Sequence, residues 1–377
     1  MEEVIVTKAE KWVNGGVCLG YHDGKAIFIS GAIPGEIVEV GVTPKGNIYK
    51  GKTFKVINAS PIRTESNCSI FLECGGCSFR HISYEDEIKL KKDLLSNELK
   101  FRLERKLSIQ IPEIKIFKSH DSKYRNNAQF KIQNGNIGFF AADSNSLVQL
   151  PKSGCKNIPD ELNQYAIGLR TKNEIKELKL RWNGNEIIEY SKNESLFAIL
   201  GKKIIIPENG FFQINRFLIE NWITEIIELI PETKGIIELF SGSGLIGLFA
   251  GAKCREMRCF ESESSSVNYA KKNNSNNQIH NIKIYKKNLY KEKIDIHSKE
   301  FPVWIANPPR AGLGNFVIQS IGEYLPESFL YSSCNYITMA SDLEKICQFG
   351  FTLKQLNLFD FFPRTEYFET LALLERA

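Results

Sequence analysis

Short apolar runs separated by turn residues fill the first 57 residues of the chain. Runs such as Ala26-Ile27-Phe28-Ile29 and Ile37-Val38-Glu39-Val40 are typical of β-strands, and pairs such as Asp23-Gly24 and Pro34-Gly35 are typical of the turns between them. Many short strands joined by tight turns favour a small closed or partly closed barrel. We therefore predict an all-β unit over residues 1–57.

The pattern changes twice over residues 58–207. Apolar residues recur at helical spacing from residue 84 to residue 106, with lysines and arginines on the remaining face, so this segment is predicted to be an amphipathic helix. From about residue 111 to residue 207, short apolar runs alternate with Asn, Gly and Ser turns, which favours β-structure. Residues 58–207 are therefore predicted to form a central, mostly β region.

Strand-like and helix-like segments alternate from residue 208 to residue 377. A helix is predicted to open at Phe211 and to run towards Ile230. Further segments are predicted at 256–260, 263–274, 281–286, 302–306, 314–325, 328–332 and 336–347. This alternation predicts a doubly wound, Rossmann-like α/β domain in which helices cover both faces of a parallel sheet. Ligands of such sheets bind beyond the carboxyl ends of the strands.

A glycine-rich turn joins a strand to a helix over residues 236–247. Gly242 and Gly244 permit a sharp turn and a close approach of the backbone to a ligand, and Gly247 permits close packing of the helix on the strand. Glu261 ends the next apolar run, where its carboxylate could accept hydrogen bonds from both hydroxyls of a ribose. The three glycines spell GxGxxG, so the segment alone fits a dinucleotide as well as S-adenosylmethionine.

Composition narrows the class of protein. The hydrophobic fraction of 42% and the charged fraction of 25% are those of an ordinary soluble protein, and 377 residues suffice for two or three domains. No apolar run of transmembrane length and no signal peptide is recognisable, so a cytoplasmic protein without membrane contact is predicted. The net charge of +5 is compatible with a nucleic-acid partner.

Three of the nine cysteines lie within ten residues of one another. An odd number of cysteines without an export signal argues against a disulfide scaffold. Cys68, Cys74 and Cys77 could converge on one metal centre, because the two glycines between the last two let the backbone wrap around it. Cys155, which follows a glycine in a predicted turn, is the best candidate for a fourth thiolate. Zinc and an iron–sulfur cluster both accept four thiolates, so the ligands leave the metal open.

Polar residues follow two further strands of the predicted parallel sheet. Asn307-Pro308-Pro309-Arg310 and Ser333-Cys334-Asn335 are expected to converge with the glycine loop at one edge of the sheet. Cys334 precedes a predicted helix, whose N-terminus would favour the thiolate form. A thiolate in this position can act as a nucleophile.

These motifs together resemble those of the RNA uracil-5-methyltransferases. The matching segments are Asn307-Pro-Pro-Arg-Ala-Gly312, Tyr331-Ser-Ser-Cys-Asn335 followed by Asp342-Leu343, Phe362-Pro-Arg-Thr365, Phe368-Glu369-Thr370 and Phe212-Gln-Ile-Asn215. The stretch from Gly15 to Glu36 resembles a TRAM domain, an OB-like module linked to RNA binding, and the four cysteines match the same family. The resemblance covers nearly the whole chain in order and rejects a dehydrogenase.

The resemblance implies a role for each candidate residue. Cys334 would add to C6 of uracil, C5 would then take the methyl group of S-adenosylmethionine, and Glu369 would remove the C5 proton. The S-adenosylmethionine site would be lined by Gln213, Phe240, Gly242, Gly244, Glu261 and Asn307. An oxygen-sensitive, structural [4Fe-4S] cluster would be held by Cys68, Cys74, Cys77 and Cys155. The target uridine would be flipped out of the folded RNA.

Three positions depart from the usual motifs of the family. Asn307 stands where Asp is usual, Leu245 where Asn is common and Tyr367 where His is common. The amide at position 307 retains an acceptor but lacks the charge, which would weaken cofactor binding or rearrange the contacts with uracil. Neither Cys334 nor Glu369 is altered, so an active enzyme is predicted.

The substrate and two rival functions follow from the same motifs. A TRAM-like barrel with a four-cysteine site resembles the ribosomal branch of the family, so a uridine of 23S rRNA is the predicted substrate, ahead of the T-loop uridine of tRNA. A monomer is expected. The altered positions leave open a catalytically impaired RNA-binding relative. Asn307-Pro308-Pro309 also suits an N-methyltransferase, which would bind a planar amine there and would not need Cys334.

Overall fold

A computed structural model of the chain describes residues 3–169, 176–295 and 300–376. Its first six strands are β1 (Glu3–Lys8), β2 (Lys11–Val13), β3 (Val17–His22), β4 (Lys25–Ser30), β5 (Ile37–Lys45) and β6 (Ile48–Asn58). They pair in the order β1-β5-β6-β4-β3-β2. The Thr7 hydroxyl on β1 donates to the Tyr21 carbonyl on β3 at 2.9 Å, so the sheet curls around its apolar core. The strands predicted in this region are confirmed.

The segment predicted as an amphipathic helix is helical. It contains α1 (Tyr84–Leu99), a π-helical turn over Lys100–Glu104 and α2 (Arg105–Leu107). Ser83 caps α1, because its hydroxyl accepts the backbone N–H of Asp86 at 3.1 Å. The apolar face of this helix packs into the core of the C-terminal sheet through Leu95, Leu99 and Leu103. Strand β7 (Ile114–Phe117) follows and joins that same sheet.

The remainder of the central region is mostly β-structure. Its elements are β8 (Asn127–Gln133), β9 (Asn136–Phe140), β10 (Leu147–Gln149), α3 (Asp160–Gly168), β11 (Glu177–Trp182) and β12 (Ile187–Glu189), followed by the hairpin of β13 (Ser195–Ile199) and β14 (Lys202–Ile206). Five strands pair in the order β10-β9-β8-β11-β12, and α3 packs on them through Leu162 and Ala166.

The C-terminal region forms one eight-stranded sheet. Its elements are α4 (Ile219–Glu228), β15 (Thr233–Leu239), α5 (Leu245–Ala250), β16 (Cys254–Glu261), α6 (Ser264–Asn276), β17 (Ile282–Lys286), β18 (Val303–Ala306), α7 (Asn315–Tyr324), β19 (Ser328–Ser333), α8 (Tyr336–Cys347), β20 (Phe351–Phe359) and β21 (Glu369–Arg376). The strand order is β17-β16-β15-β18-β19-β21-β20-β7, and the first five strands are parallel. Successive residues of β15 point into the apolar cores on opposite faces of the sheet, Ile236 into one core and Ile237 into the other. The predicted doubly wound α/β arrangement is confirmed.

Two features of this sheet differ from the prediction. Helix α4 begins at Ile219 rather than at Phe211, because the preceding segment is tied to the central region: Asn126 donates its backbone N–H to the Ile214 carbonyl at 2.8 Å, and Arg216 donates to the Tyr124 carbonyl at 2.9 Å. In addition, β7 covers the outer edge of β20, with Phe359 opposite Phe117. The sheet therefore includes a strand from before residue 208, where the third region was predicted to begin.

A buried lysine connects α1 to the C-terminal region. Lys91 is 0% exposed, and its Nζ donates to Glu87 Oε1 and to Asp360 Oδ1, each at 2.7 Å. The backbone N–H of Arg364 donates to the same Glu87 oxygen at 2.7 Å. Because both carboxylates are shielded from water, the lysine is the main compensation for their charge. None of the described helices combines the length and the apolar character needed to cross a membrane.

The variant Lys91→Ala is expected to lower the free energy of unfolding by about 3–5 kcal/mol, since it removes the cation that hydrogen-bonds to both buried carboxylates and leaves Glu87 with only the more distant Arg364. Urea denaturation followed by circular dichroism measures this. Lys89→Ala is the matched control on the same helix, because the Lys89 side chain is 74% exposed where it pairs with Asp86; it is expected to cost at most about 1 kcal/mol. Equal effects of the two variants would contradict the assigned role of Lys91.

Candidate active site

A cavity of about 670 Å³ lies beyond the carboxyl ends of the parallel strands. Its lining includes seven of the eight residues predicted for cofactor binding and catalysis, namely Gln213, Phe240, Gly242, Glu261, Asn307, Cys334 and Glu369. Gly244 is not part of the lining. The volume is that of an ordinary small-molecule site. The structure thus brings together, in one place, residues that the sequence scatters over four strand ends and two loops.

The glycine loop between β15 and α5 has a left-handed backbone at alternate residues. Phe240, Gly242 and Gly244 have φ values of 60°, 54° and 86°. A Cβ at position 242 would meet no atom within 4 Å, so this part of the backbone borders the open cavity. A Cβ at position 244 would instead lie 3.3 Å from the Cβ of Ala270 on α6. Gly242 therefore leaves room for a ligand, whereas Gly244 lets α5 pack against α6.

Glu261 fixes the shape of this loop. Its Oε2 accepts the backbone N–H of Gly242 at 2.9 Å, and its Oε1 accepts the backbone N–H groups of Ser262 at 2.7 Å and Glu263 at 2.8 Å. The carboxylate therefore ties the end of β16 to the loop after β15. It also borders the cavity, where an oxygen lone pair not used by the loop can accept a ribose hydroxyl.

The wall opposite the glycine loop depends on the central region. Gln213 is buried, and its backbone carbonyl accepts the side-chain amide of Asn126 at 2.6 Å. Tyr124 and Asn126 are themselves buried. Burial keeps these two side chains out of any surface that could contact RNA. They hold the segment that carries Gln213 against the cavity.

The two predicted catalytic residues lie on neighbouring antiparallel strands. Ser333 at the end of β19 is paired with Thr370 near the start of β21, and the Thr370 hydroxyl donates to the Ser333 carbonyl at 2.9 Å. Cys334 follows Ser333 directly and Glu369 precedes Thr370 directly. Both side chains line the same cavity. Pairing of the two strands thus places a thiol beside a carboxyl group.

The protonation of the Cys334 thiol depends on its burial and on two charged neighbours. Burial, reinforced by the nearby charge of Glu369, raises the pKa of the Cys334 thiol to about 11. The Arg310 guanidinium hydrogen-bonds to the thiol and opposes this rise. Burial is therefore the largest influence on the pKa of this thiol, and the favoured thiolate stays a prediction.

The base candidate is deeply buried. Glu369 is 2% exposed, and burial raises the pKa of its carboxyl group to about 8, against a hydrogen bond from Ser332 that lowers it. The Ser332 hydroxyl donates to Glu369 Oε1 at 2.6 Å, and the Trp222 indole N–H donates to Ser332 Oγ at 3.1 Å. Neither Ser332 nor Trp222 was singled out from the sequence, where a serine before Ser333 and a tryptophan in an apolar helix carry no distinguishing signal.

Tyr367, which stands where the family commonly has His, lies close to Arg310. The Arg310 guanidinium lies over the ring of Tyr367 at 3.9 Å from its centroid. A tyrosine face stabilises a cation at this distance. Tyr367 therefore supports the arginine that contacts Cys334.

The four cysteines predicted as metal ligands lie within electrostatic reach of one another. The charges of Cys155, Cys77 and Cys68 all act on Cys74, although burial is the largest of the causes that raise its pKa to about 12. Arg80 Nε and Asn157 Nδ2 donate to Cys77 Sγ at 3.4 and 3.3 Å. Within the described ranges, no three His, Cys, Asp or Glu side chains are arranged to hold a single metal ion.

Several known proteins match this chain over most of its length. A family model described as tRNA (uracil-5-)-methyltransferase matches residues 155–377. An "uncharacterized RNA methyltransferase" of Leptospira interrogans is 38% identical, over 99% of this chain and 95% of that protein. The 23S rRNA (uracil(1939)-C(5))-methyltransferase RlmD of Aliivibrio fischeri is 26% identical, over 96% and 94%.

A solved structure has the same fold along nearly the whole chain. The Pyrococcus abyssi tRNA (uracil-54, C5)-methyltransferase, crystallised with S-adenosyl-L-homocysteine, superposes with a TM-score of 0.75 over 98% of this chain and 99% of that chain, at 19% sequence identity. At this identity the superposition establishes the fold.

The variant Gly242→Ala is expected to weaken S-adenosylmethionine binding by about tenfold, which is about 1.4 kcal/mol, because the added methyl group takes space in the cavity. The left-handed backbone also disfavours a Cβ by about 1–2 kcal/mol, which lowers the stability of the fold. Isothermal titration calorimetry measures the loss of affinity. Gly244→Ala is the matched control: it carries the same backbone strain but points at Ala270, so its main effect is a lower melting temperature. A Gly242→Ala protein with wild-type affinity would contradict the placement of the cofactor beside this loop.

Proposed function

The chain belongs to the tRNA (uracil-5-)-methyltransferase family, whose model matches more than half of it, and we propose that it transfers the methyl group of S-adenosylmethionine to C5 of a uridine in RNA. The observation that carries this proposal is the meeting of Cys334 and Glu369 in one cavity with the glycine loop. A thiol beside a buried carboxyl group suits a reaction that needs both a nucleophile and a base.

Cys334 performs the first step by adding through Sγ to C6 of the uracil ring. The addition makes C5 nucleophilic, and S-adenosylmethionine supplies the electrophilic methyl group that C5 takes. Glu369 then removes the C5 proton, the electrons of the C5–H bond form the C5–C6 double bond, and the C6–S bond breaks to release Cys334. Arg310 stabilises the negative charge on sulfur at the start and at the end of this sequence.

The cavity fits S-adenosylmethionine in two respects. The backbone at Gly242 borders open space that a side chain would fill, and Glu261 offers a carboxylate at the end of β16 where the ribose is expected. Gln213, Phe240 and Asn307 complete the proposed binding residues. Gly244 contributes indirectly by allowing the start of α5 to pack on α6.

The substrate we propose is a uridine of 23S rRNA. The support is the match along nearly the whole chain to a relative with that specificity, together with the N-terminal sheet and the four cysteines. We propose that residues 1–57 are a TRAM-like, OB-like barrel for RNA, residues 58–207 the cluster-bearing region and residues 208–377 the catalytic domain. A T-loop uridine of tRNA is the second candidate. Cytoplasmic location and a monomeric state remain predictions.

The four cysteines are proposed to hold a [4Fe-4S] cluster. The support for this proposal is that the charges of Cys155, Cys77 and Cys68 all act on Cys74, and that four thiolates are the usual ligand set of such a cluster. N–H donors of the kind that Arg80 and Asn157 supply to Cys77 are typical around cluster sulfurs.

Protein purified without oxygen is expected to contain about four iron and four sulfide per chain, and Cys155→Ser is expected to lose most of the iron. Iron and sulfide assays and the visible absorption spectrum measure both. Cys254→Ser is the control, since Cys254 is partly exposed and begins β16, away from the four cysteines. Stoichiometric zinc without iron in anaerobically purified protein would refute the cluster.

An N-methyltransferase is the rival with a specific observation in its favour. Asn307, Pro308 and Pro309 line the cavity, where they could contact a planar amine. That reaction would not use Cys334, so the variant Cys334→Ala separates the two functions. A catalytically impaired RNA-binding relative is disfavoured, because the nucleophile and the base are both present and adjacent.

RNA transcripts containing 5-fluorouridine are expected to trap a covalent adduct on Cys334 in the presence of S-adenosylmethionine, because fluorine at C5 cannot leave as a proton. Mass spectrometry of the digested protein locates the adduct. Cys334→Ala should form no adduct with this RNA. Glu369→Gln should accumulate a methylated adduct with RNA that contains ordinary uridine, because the loss of a general base slows elimination by about 10²–10⁴-fold. RNA methylation by the Cys334→Ala protein would overturn the mechanism. Cys254→Ala is the control, and it is expected to form the adduct as the wild type does.

A further inference from the structure

A chain of two hydrogen bonds ends on the proposed base. The Trp222 indole N–H on α4 donates to Ser332 Oγ at 3.1 Å, and the Ser332 hydroxyl on β19 donates to Glu369 Oε1 at 2.6 Å. All three side chains are buried. The tryptophan ring also packs edge-on against Phe361, with the ring centroids 6.1 Å apart, which fixes the direction of its N–H group.

The chain has a defined direction. An indole N–H can only donate, so Ser332 Oγ must be the acceptor in the first bond. The single hydroxyl proton of the serine is then free to point at Glu369. The 2.6 Å separation is typical of a hydroxyl bound to an ionised carboxylate. Trp222 thereby orients Ser332 as a donor, and a donor at this position favours the carboxylate form of Glu369 over the carboxylic acid.

We propose that Ser332 and Trp222 are positioning residues for the proton-abstraction step, which favour the carboxylate form of Glu369 and occupy its Oε1 so that Oε2 takes the C5 proton. This inference rests on the proposed function. In the step concerned, the C5–H bond breaks, its electron pair forms the C5–C6 double bond, and the C6–S pair returns to Cys334. The proton ends on Glu369 Oε2 and leaves through the cavity, because the indole cannot accept it.

The electrostatic surroundings of Glu369 explain why Ser332 and Trp222 are needed beside it. Burial raises the pKa of the Glu369 carboxyl group to about 8, and the Ser332 hydrogen bond is the influence that opposes this rise. The titratable groups that share the cavity are Cys334, Arg310, Glu238, Glu261, Glu263, Lys287 and Tyr290. Of these, Cys334 lies next to Glu369 on the adjoining strand, and its own pKa responds to the charge of the glutamate.

The test follows formation and decay of the methylated protein–RNA adduct separately. The enzyme is mixed with an unmodified 23S rRNA or tRNA transcript and radiolabelled S-adenosylmethionine. Samples quenched with detergent between about pH 6 and pH 9 are then scored for label on protein-bound RNA and on released RNA.

The variants are Ser332→Ala, Ser332→Thr and Trp222→Phe. A matched hydroxyl control is Ser328→Ala on the same strand, since the buried Ser328 hydroxyl has no hydrogen-bond partner among the described residues. Trp304→Phe is the indole control, because the buried Trp304 N–H donates to the Phe301 carbonyl, outside the cavity.

Ser332→Ala is expected to form the adduct at the wild-type rate but to release it about tenfold or more slowly at pH 7, since a hydrogen bond to a charged group is lost. Removing the donor raises the pKa of Glu369, so the defect should shrink as pH rises and the midpoint of the release rate should move upward by about one pH unit. Trp222→Phe should shift the midpoint the same way by less, and Ser332→Thr should restore release. The two controls should match the wild type.

Three outcomes would overturn the inference. Release from Ser332→Ala at the wild-type rate at every pH would remove the positioning role and leave the proposed function intact. Slower formation and slower release together, with no shift in pH midpoint, would show a merely structural role. Absence of a 5-fluorouridine adduct in the wild-type protein would overturn the proposed function and this inference with it.

Discussion

The antiparallel pairing of β19 with β21 is the constraint on which the active site depends. Because β21 runs against β19, its first residues meet the carboxyl end of β19, which is the edge where a parallel sheet binds its ligands. Ser333 opposite Thr370 fixes the register, and Cys334 and Glu369 flank that pair. A shift of one residue would turn one of the two side chains to the other face of the sheet.

Burial gives both reactive groups their resting protonation state, and single polar neighbours adjust it. The thiol of Cys334 and the carboxyl group of Glu369 both have raised pKa values, chiefly because the cavity removes them from water. Arg310 acts on the first group and Ser332 on the second, each through a hydrogen bond that stabilises the charged form. Arg310 favours a negative charge on the sulfur of Cys334, and Ser332 favours one on the carboxyl group of Glu369. This suits a reaction in which the thiolate is needed first and the carboxylate afterwards.

The alternation of strands and helices was predictable because each element buries its own apolar positions, and the segments predicted from residue 256 to residue 347 recur as β16 to α8 within a few residues. The glycine loop and Glu261 were predictable from local turn chemistry. Cys334 was predicted from its place between a strand and a helix, whereas Glu369 was assigned only through a family resemblance, since nothing in the local sequence indicates that β19 pairs with β21. Ser332, Trp222 and the late start of α4 were missed for the same physical reason: each depends on contacts between distant parts of the chain.

The central region supports the proposed methyltransferase site through direct contacts with the C-terminal sheet and with the wall of the cavity. Strand β7 closes the edge of the catalytic sheet, α1 packs on that sheet, and Lys91 compensates the buried charge of Asp360, which follows β20 directly. Asn126 holds the carbonyl of Gln213 at the cavity wall. The proposed cofactor pocket therefore depends on the packing of the central region against the segment that carries Gln213. Since binding free energies are reciprocal, a ligand whose affinity changed through Asn126 would have to change the affinity for the cofactor by the same factor.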